Sequence, residues 1–404
     1  MNRRLWDVQT TITLVTAFVV VSLFVVCKQF LFKKPDVEKT VKVGFIYEGD
    51  ESTPYTNNFI LSLYEIEKEL GNRLQVEVLT NVSENSIVAD LQTLVDNGCD
   101  LIFTTSYEYS VAAKDAARKY PSVQFCQATG DNANIEPVCK NYHTFMGEIY
   151  QGRYISGLVA GLKLKELISS GEMDETQMKI GYVAAYPYAE VISGYTAFLL
   201  GIRSVVPSAT MIVRYTNTWN NYSLEKICAQ KLIDEGCVVI SQHSDSIAPA
   251  VACEENYPVR TVYHVGYNQS MIDVAPLSSL ISTKINWSPY MMGAIRAVME
   301  EKSIESVIPG HVHGNDIGAG FEAGWVQMLE LNDVIAAPGT SARIEKAIQA
   351  FKHKRLSVFS GSYTGVNPFN PQDVCNLRTE FEENAVSSAP RFCYVLDDII
   401  TVEE

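Results

Sequence analysis

Basic residues are scarce in this chain. Its 404 residues carry 32 Lys and Arg against 47 Asp and Glu, a formal net charge of −15. No basic patch interleaved with aromatics occurs, which argues against a nucleic-acid surface. Catalytic signatures are missing as well. There is no Gly-x-Ser-x-Gly elbow, no Walker A loop and no His-Glu-x-x-His. Gly44 to Gly49 has two glycines at the wrong spacing for a dinucleotide fingerprint. His311 and His313 stand close together on a Gly-containing stretch, but a metal would need further ligands that the sequence does not name; they read as a loop. His243 and Asp245 could do acid–base work, yet no nucleophile accompanies them, so ligand hydrogen bonding is the favoured reading. No enzyme activity, metal or cofactor is expected.

Long hydrophobic runs are absent too, apart from one at the N-terminus. Arg3 and Arg4 precede a charge-free stretch from Val8 to Cys27, about 20 residues and enough to span a hydrocarbon core. Lys28, Lys33 and Lys34 follow. A cleavable signal ends in small residues, which Val25-Val26-Cys27-Lys28 does not offer. The stretch reads as an uncleaved signal anchor, a transmembrane helix within residues 1–34; lipid attachment at Cys27 is the rival. At 47% hydrophobic residues the remainder can bury substantial cores. Of nine cysteines, Cys99 and Cys237 fall at matching strand starts and read as buried structural thiols. Apart from Cys27, six remain. That even number fits an oxidising exterior, with Cys126–Cys139 and Cys375–Cys393 as the expected disulfides and free thiols as the alternative.

One phrase occurs twice. Leu91-Gln92-Thr93-Leu94-Val95-Asp96-Asn97-Gly98-Cys99, then Asp100-Leu101-Ile102-Phe103, is echoed by Ala229-Gln230-Lys231-Leu232-Ile233-Asp234-Glu235-Gly236-Cys237, then Val238-Val239-Ile240. Each copy reads as a helix, a Gly stop, a buried strand and a polar loop. The apolar runs are those of parallel strands covered on both faces. Strand and helix patterns alternate from Val41 onward, with helices predicted at 149–168 and 341–354 and strands at 178–185 and 259–265. This is an α/β chain with parallel sheets flanked by helices. The expected organisation is a linker at 35–40, lobe 1 at 41–147 with roughly 286–302 crossing back to it, and lobe 2 at 148–285. Crossing segments and a surface tail occupy 303–404.

Loops at the carboxyl ends of parallel strands are where open α/β sheets bind ligands. Here they are crowded with aromatics, amides and carboxylates: Tyr55 and Asn57; Ser106, Tyr107 and Glu108; Tyr186, Tyr188 and Glu190; Asn217 and Trp219; His243 and Asp245; Tyr267 and Asn268; Asn286 and Trp287. Rings offer flat apolar faces to a planar ligand, and amides and carboxylates fix its edges. A phosphate would call for Arg, Lys or a Gly-rich nest.

The ordered phrases Asp100-Leu101-Ile102-Phe103-Thr104-Thr105-Ser106-Tyr107, Ile149-Tyr150-Gln151-Gly152-Arg153-Tyr154, Ile180-Gly181-Tyr182-Val183-Ala184-Ala185-Tyr186-Pro187, Gln242-His243-Ser244-Asp245 and Asn286-Trp287-Ser288-Pro289-Tyr290 resemble the basic membrane protein (BMP) family of solute-binding proteins for ABC transporters. The resemblance covers about residues 41 to 365. It implies a type I periplasmic-binding fold with two α/β lobes. It also implies a purine nucleoside or base as ligand and an ABC permease as partner, at the extracytoplasmic face of the cell membrane. Ligand contacts fall on Tyr55, Asn57, Tyr107, Tyr188, Glu190, Trp219, His243, Asp245, Asn268 and Trp287. The family's Asp-Gly-Gly-Trp style loop is replaced by Asp50-Glu51-Ser52-Thr53-Pro54-Tyr55, and the acidic residue that nucleoside receptors carry after the third strand has only Glu108 nearby. A tethered extracellular sensor of the same fold and a nucleoside-processing enzyme are the rival readings.

Overall fold

The computed structural model describes residues 40–403 and, before them, Thr13 alone. The expected membrane segment, Cys27 and most of the linker lie outside the described residues. Among the described residues no helix is long and apolar enough to cross a membrane.

The first βα series runs β1 (Val41–Ile46), α1 (Pro54–Leu70), β2 (Leu74–Leu79), α2 (Ile87–Asp96), β3 (Leu101–Thr104), α3 (Ser110–Lys119), β4 (Gln124–Ala128) and β5 (Tyr142–Gly147). The second runs α4 (Ile149–Ser170), β6 (Lys179–Ala184), α5 (Ala189–Arg203), β7 (Thr210–Tyr215), α6 (Tyr222–Asp234), β8 (Val239–His243), α7 (Ala248–Asn256), β9 (Tyr263–Tyr267) and β10 (Ser279–Ile285). Then follow α8 (Ser288–Met299), β11 (His311–His313), β12 (Asp316–Ala319), β13 (Val326–Met328), α9 (Thr340–Lys352), β14 (Thr364–Asn367), β15 (Asn370–Asn376), β16 (Val395–Leu396) and β17 (Ile400–Glu403).

These strands form two seven-stranded sheets, ordered β11-β12-β5-β4-β3-β1-β2 and β13-β10-β9-β8-β6-β7-β17. All pairings are parallel except β11 with β12 and β10 with β13. The physical cause is visible in the strands: every residue of β3, β5 and β8 is buried, as helices on both faces require. The duplicated phrase holds in the backbone. Gly98 and Gly236 follow α2 and α6 with φ of 82° and 86°, a conformation a side chain would resist. In both sheets the order reverses at the first strand of the series, between β1 and β3 and between β6 and β8. Such a reversal opens a crevice at the strands' carboxyl ends. The strand expected over 259–265 starts late, because Val259, 86% exposed, closes a turn on Asn256.

Three segments cross between the sheets: Glu148 from β5 to α4, Asn286–Trp287 from β10 to α8, and Gly320–Trp325 from β12 to β13. They are tied together, with Glu148 N donating to Ala319 O at 2.9 Å and Asn286 N to Trp325 O at 2.7 Å. α8 lies against α1, where Ser288 Oγ donates to Glu65 Oε2 at 2.7 Å and Arg296 pairs with Glu69. The tail does more than wrap the surface. β15, β14 and β16 make a small antiparallel sheet, and β17 adds to the edge of β7 in parallel.

The expected disulfides are absent; Cys126, Cys139, Cys375 and Cys393 are free thiols. Strand alternation keeps the first pair apart. Cys126 faces the core beneath α8, with its sulfur 3.4 Å from Tyr290 Oη. Cys139 belongs to the core on the opposite face of that sheet. In the second pair, β14 runs between β15, which carries Cys375, and β16, which Cys393 precedes.

Candidate functional site

A narrow cleft opens between the two sets of strand ends. Glu48, Tyr55, Thr105, Ser106, Tyr107, Glu108 and Thr129 line it from the first sheet; Glu190, Trp219, His243, Asp245 and Tyr267 line it from the second. Six of the ten expected site residues therefore meet there: Tyr55, Tyr107, Glu190, Trp219, His243 and Asp245. Tyr55 gets its place from Pro54, which starts α1 with a preset φ, and its hydroxyl donates to Thr105 O at 2.6 Å.

The other four stand differently. Tyr188 is at the mouth, 40% exposed, stacked on Tyr186 at 5.1 Å and 5.9 Å from Tyr107 across the cleft. Asn268 is buried behind the cleft wall, where its Nδ2 donates to Asp245 Oδ1 at 3.2 Å. Asn57 is off the cleft; its neighbour Asn58 turns inward and donates to Asn268 Oδ1 at 3.2 Å. One residue along a helix rotates a side chain by about 100°, which accounts for the slip. Trp287 is a core residue, 1% exposed and stacked on Phe59 at 4.4 Å. It packs the crossing segment against α1 and does not line the cleft.

Two hydrogen bonds bridge the sides: Asn58 to Asn268, and Trp219 Nε1 to Glu108 Oε1 at 3.2 Å. The lobes are thus latched closed. Four non-glycine residues just past strands of the two βα series adopt left-handed backbone, Asn81 (φ 56°), Thr129 (φ 60°), Asn217 (φ 53°) and Asn268 (φ 67°). Such strain concentrates at binding sites, where the surroundings hold it in place.

Electrostatically the cleft is one-sided. Four carboxyl groups, Glu48, Glu108, Glu190 and Asp245, line it, and among the described residues no Lys or Arg does. Ser106 Oγ lies 2.7 Å from Glu48 Oε2 and 2.6 Å from Glu108 Oε2. One hydroxyl has one proton, so it donates to only one of the two at a time. Burial pushes Glu48 above the usual carboxylate range. Burial, and then the charges of Glu225 and Glu48, push Asp245 up further still. Burial and the nearby Arg153 hold His243 below the usual imidazole range, so it is neutral at pH 7. Its Nε2 lies 3.3 Å from Glu190 Oε1, and its Nδ1 has no partner. Arg153 stands behind the wall, its guanidinium 3.6 Å from the centre of the Tyr267 ring and its Nη1 donating to Gln242 O at 2.8 Å. Glu48 and Arg153 are not among the expected site residues. Glu48 has a readable signal, since it lies two residues past the end of β1. Arg153 stands in one of the family phrases but on α4, away from any strand end, and it reaches the site through the Tyr267 ring and by its charge on His243.

A family model described as ABC transporter substrate-binding protein, PnrA-like, matches residues 40–354. The chain belongs to the Bmp family. A purine-binding protein of Brucella abortus is 28% identical to this Bmp chain over 80% of it and 84% of the relative. A Haloferax volcanii protein described as an ABC transporter glucose-binding protein is 29% identical over 72% of the chain and 66% of the relative. In fold, the Bmp chain matches the crystal structure of an ABC transporter solute-binding protein from Aeropyrum pernix with a TM-score of 0.63 at 15% identity. That match covers 82% of this chain and 94% of the other. This Bmp protein is an extracytoplasmic solute-binding protein for ABC transport, with a small molecule as its ligand, and it is not an enzyme.

Proposed function

We propose that the cleft captures an uncharged purine, as nucleoside or free base, for uptake through an ABC permease, and that the N-terminal segment tethers the protein to the cell membrane. The observation that carries the reading is the lining: four carboxyl groups, two of them pushed toward the neutral form, with aromatic rings and no cationic side chain. That lining suits a ligand rich in N–H and O–H donors and repels a phosphate. Tyr55 and Trp219 are the stacking faces. Glu190 and Asp245 take the ligand's polar edge, with Asn268 holding Asp245 in place. Tyr107 and Tyr188 close the mouth. The similarity to a purine-binding protein supports the same reading.

A sugar also carries many hydroxyl donors, and the Haloferax relative is described as glucose-binding. A thermal-shift screen of the purified full-length chain against nucleosides, bases and hexoses separates the two, since a ligand bound only to the native state raises the melting temperature. The expected result is a rise with purines and none with hexoses. A response confined to hexoses overturns the purine assignment and leaves the solute-binding role intact.

A further inference from the structure

A second cavity, about 560 Å³, shares no lining residue with the cleft. Its walls come from the crossing segments, from β11 and from tail residues beyond the family match. Among the described residues, five carboxylates line it, those of Glu148, Glu322, Glu380, Glu382 and Glu383, against a single Lys or Arg, Lys354.

At one wall, Glu148, His311 and Glu322 converge, each offering a ligand atom, all within 4.8 Å of one another. They come from three separate parts of the chain. Glu148, 3% exposed, has Oε1 2.6 Å from His311 Nδ1, while its Oε2 accepts from Gln151. Gln151 is itself fixed, accepting from Phe321 N at 3.1 Å. Glu322 Oε1 accepts from Gly320 N at 2.9 Å. Carboxylates steadied by such outer contacts are typical of metal sites. A separate observation comes from the same cavity: Glu383, 3% exposed, has an oxygen, Oε1, with no hydrogen-bond partner in the protein.

We infer that Glu148, His311 and Glu322 bind a divalent transition-metal ion of the zinc type at the hinge side of the molecule. One imidazole and two carboxylates are a borderline donor set, suited to Zn²⁺ and its neighbours, whereas Mg²⁺ and Ca²⁺ prefer oxygen alone. A bound ion holds its ligand atoms about 3.4 Å apart in a tetrahedral shell. The Glu148–His311 hydrogen bond, at 2.6 Å, opens to that spacing as its proton leaves, the exposed Glu322 side chain swings in, and water completes the shell. Glu148 and Glu322 lie on two of the three crossing segments, so the ion clamps the strands about which the lobes turn. The inference stands independently of the purine reading.

The test uses the full-length chain stripped with a chelator. Zn²⁺ is titrated by calorimetry, and Co²⁺ is added as a spectroscopic probe. One Zn²⁺ per chain is expected, with visible Co²⁺ bands. His311→Ala and Glu322→Ala should each weaken Zn²⁺ at least tenfold while leaving the metal-free melting temperature within a few degrees of the parent. No stoichiometric Zn²⁺ binding by the parent overturns the inference, as does unchanged affinity in both variants. Displacement of Zn²⁺ by an equal concentration of Mg²⁺ overturns the assignment of the imidazole as a ligand.

Discussion

Asp245 shows how the cleft sets the chemistry of a single group. It follows β8, it is held by Asn268, and its pKa is driven well up by burial and by the carboxylates around it. That shift favours the neutral carboxyl group, which is able to donate or accept. Asp245→Asn should therefore bind a purine close to parental affinity. Asp245→Ala leaves a buried ligand donor unpaired, at about 1–3 kcal/mol, and should weaken binding roughly tenfold or more. Calorimetry on the two variants checks this; equal losses in both would show that the charged form is needed. At this scale the sequence is legible where side chains follow directly from strand ends. Glu190, Trp219, His243 and Asp245 sit at such ends, and their residue types announce hydrogen bonding and stacking. Trp287 fails the same rule because Phe59, more than two hundred positions away, stacks on it. Asn57 fails because helix phase, which depends on where Pro54 starts α1, decides which of two adjacent amides turns inward.

Among elements, the contact of α4 with α5 is the tightest constraint. A Cβ on Gly157 would stand 1.9 Å from Phe198 O, and one on Gly201 would stand 2.1 Å from Tyr154 O. Both neighbours are backbone, so no rotamer change relieves the clash. Gly157→Ala and Gly201→Ala should each cost about 1–3 kcal/mol or more of stability, read as a lowered midpoint in urea unfolding. An unchanged midpoint would mean that the helices can separate freely. In sequence, a mid-helix glycine looks only like a weakness; its reason lies on the partner helix. The βα alternation and the duplicated helix–Gly–strand phrase are legible because they are local, set by apolar periodicity and a left-handed stop. The tail elements are not. β16 has two residues and β14 has four, too short for a period to show, and β17 gains its form from the edge of β7.

For the whole molecule, pH should act through Glu383. Burial pushes its carboxyl to about 7, outweighing the hydrogen bonds that reach it, one of them from Phe392 N at 2.7 Å. The unfolded chain releases this proton near the ordinary glutamate value, while the native state keeps it until about pH 7. Between those values the native state binds more protons, so stability falls as pH rises. The contribution is full below about pH 4.5 and lost by pH 7, on the order of 3 kcal/mol. Glu48 and Asp245, also shifted up, slope the same way. Glu383→Gln copies the neutral form, so the difference in urea stability between pH 5 and pH 8 should shrink in this variant. An unchanged difference would place the ionised carboxylate in the native state throughout.

The pairing of β17 with β7 also imposes an order in time. Arg214 and Glu403, which meet across that edge, are 189 residues apart in sequence. A chain emerging N-terminus first presents β6 to β10 long before the strand that completes their sheet. Throughout that interval β7 is an open edge, ready to pair with the same strand of a neighbouring chain. The second sheet is therefore completed last, by a four-residue strand that then takes the place of β7 as its edge.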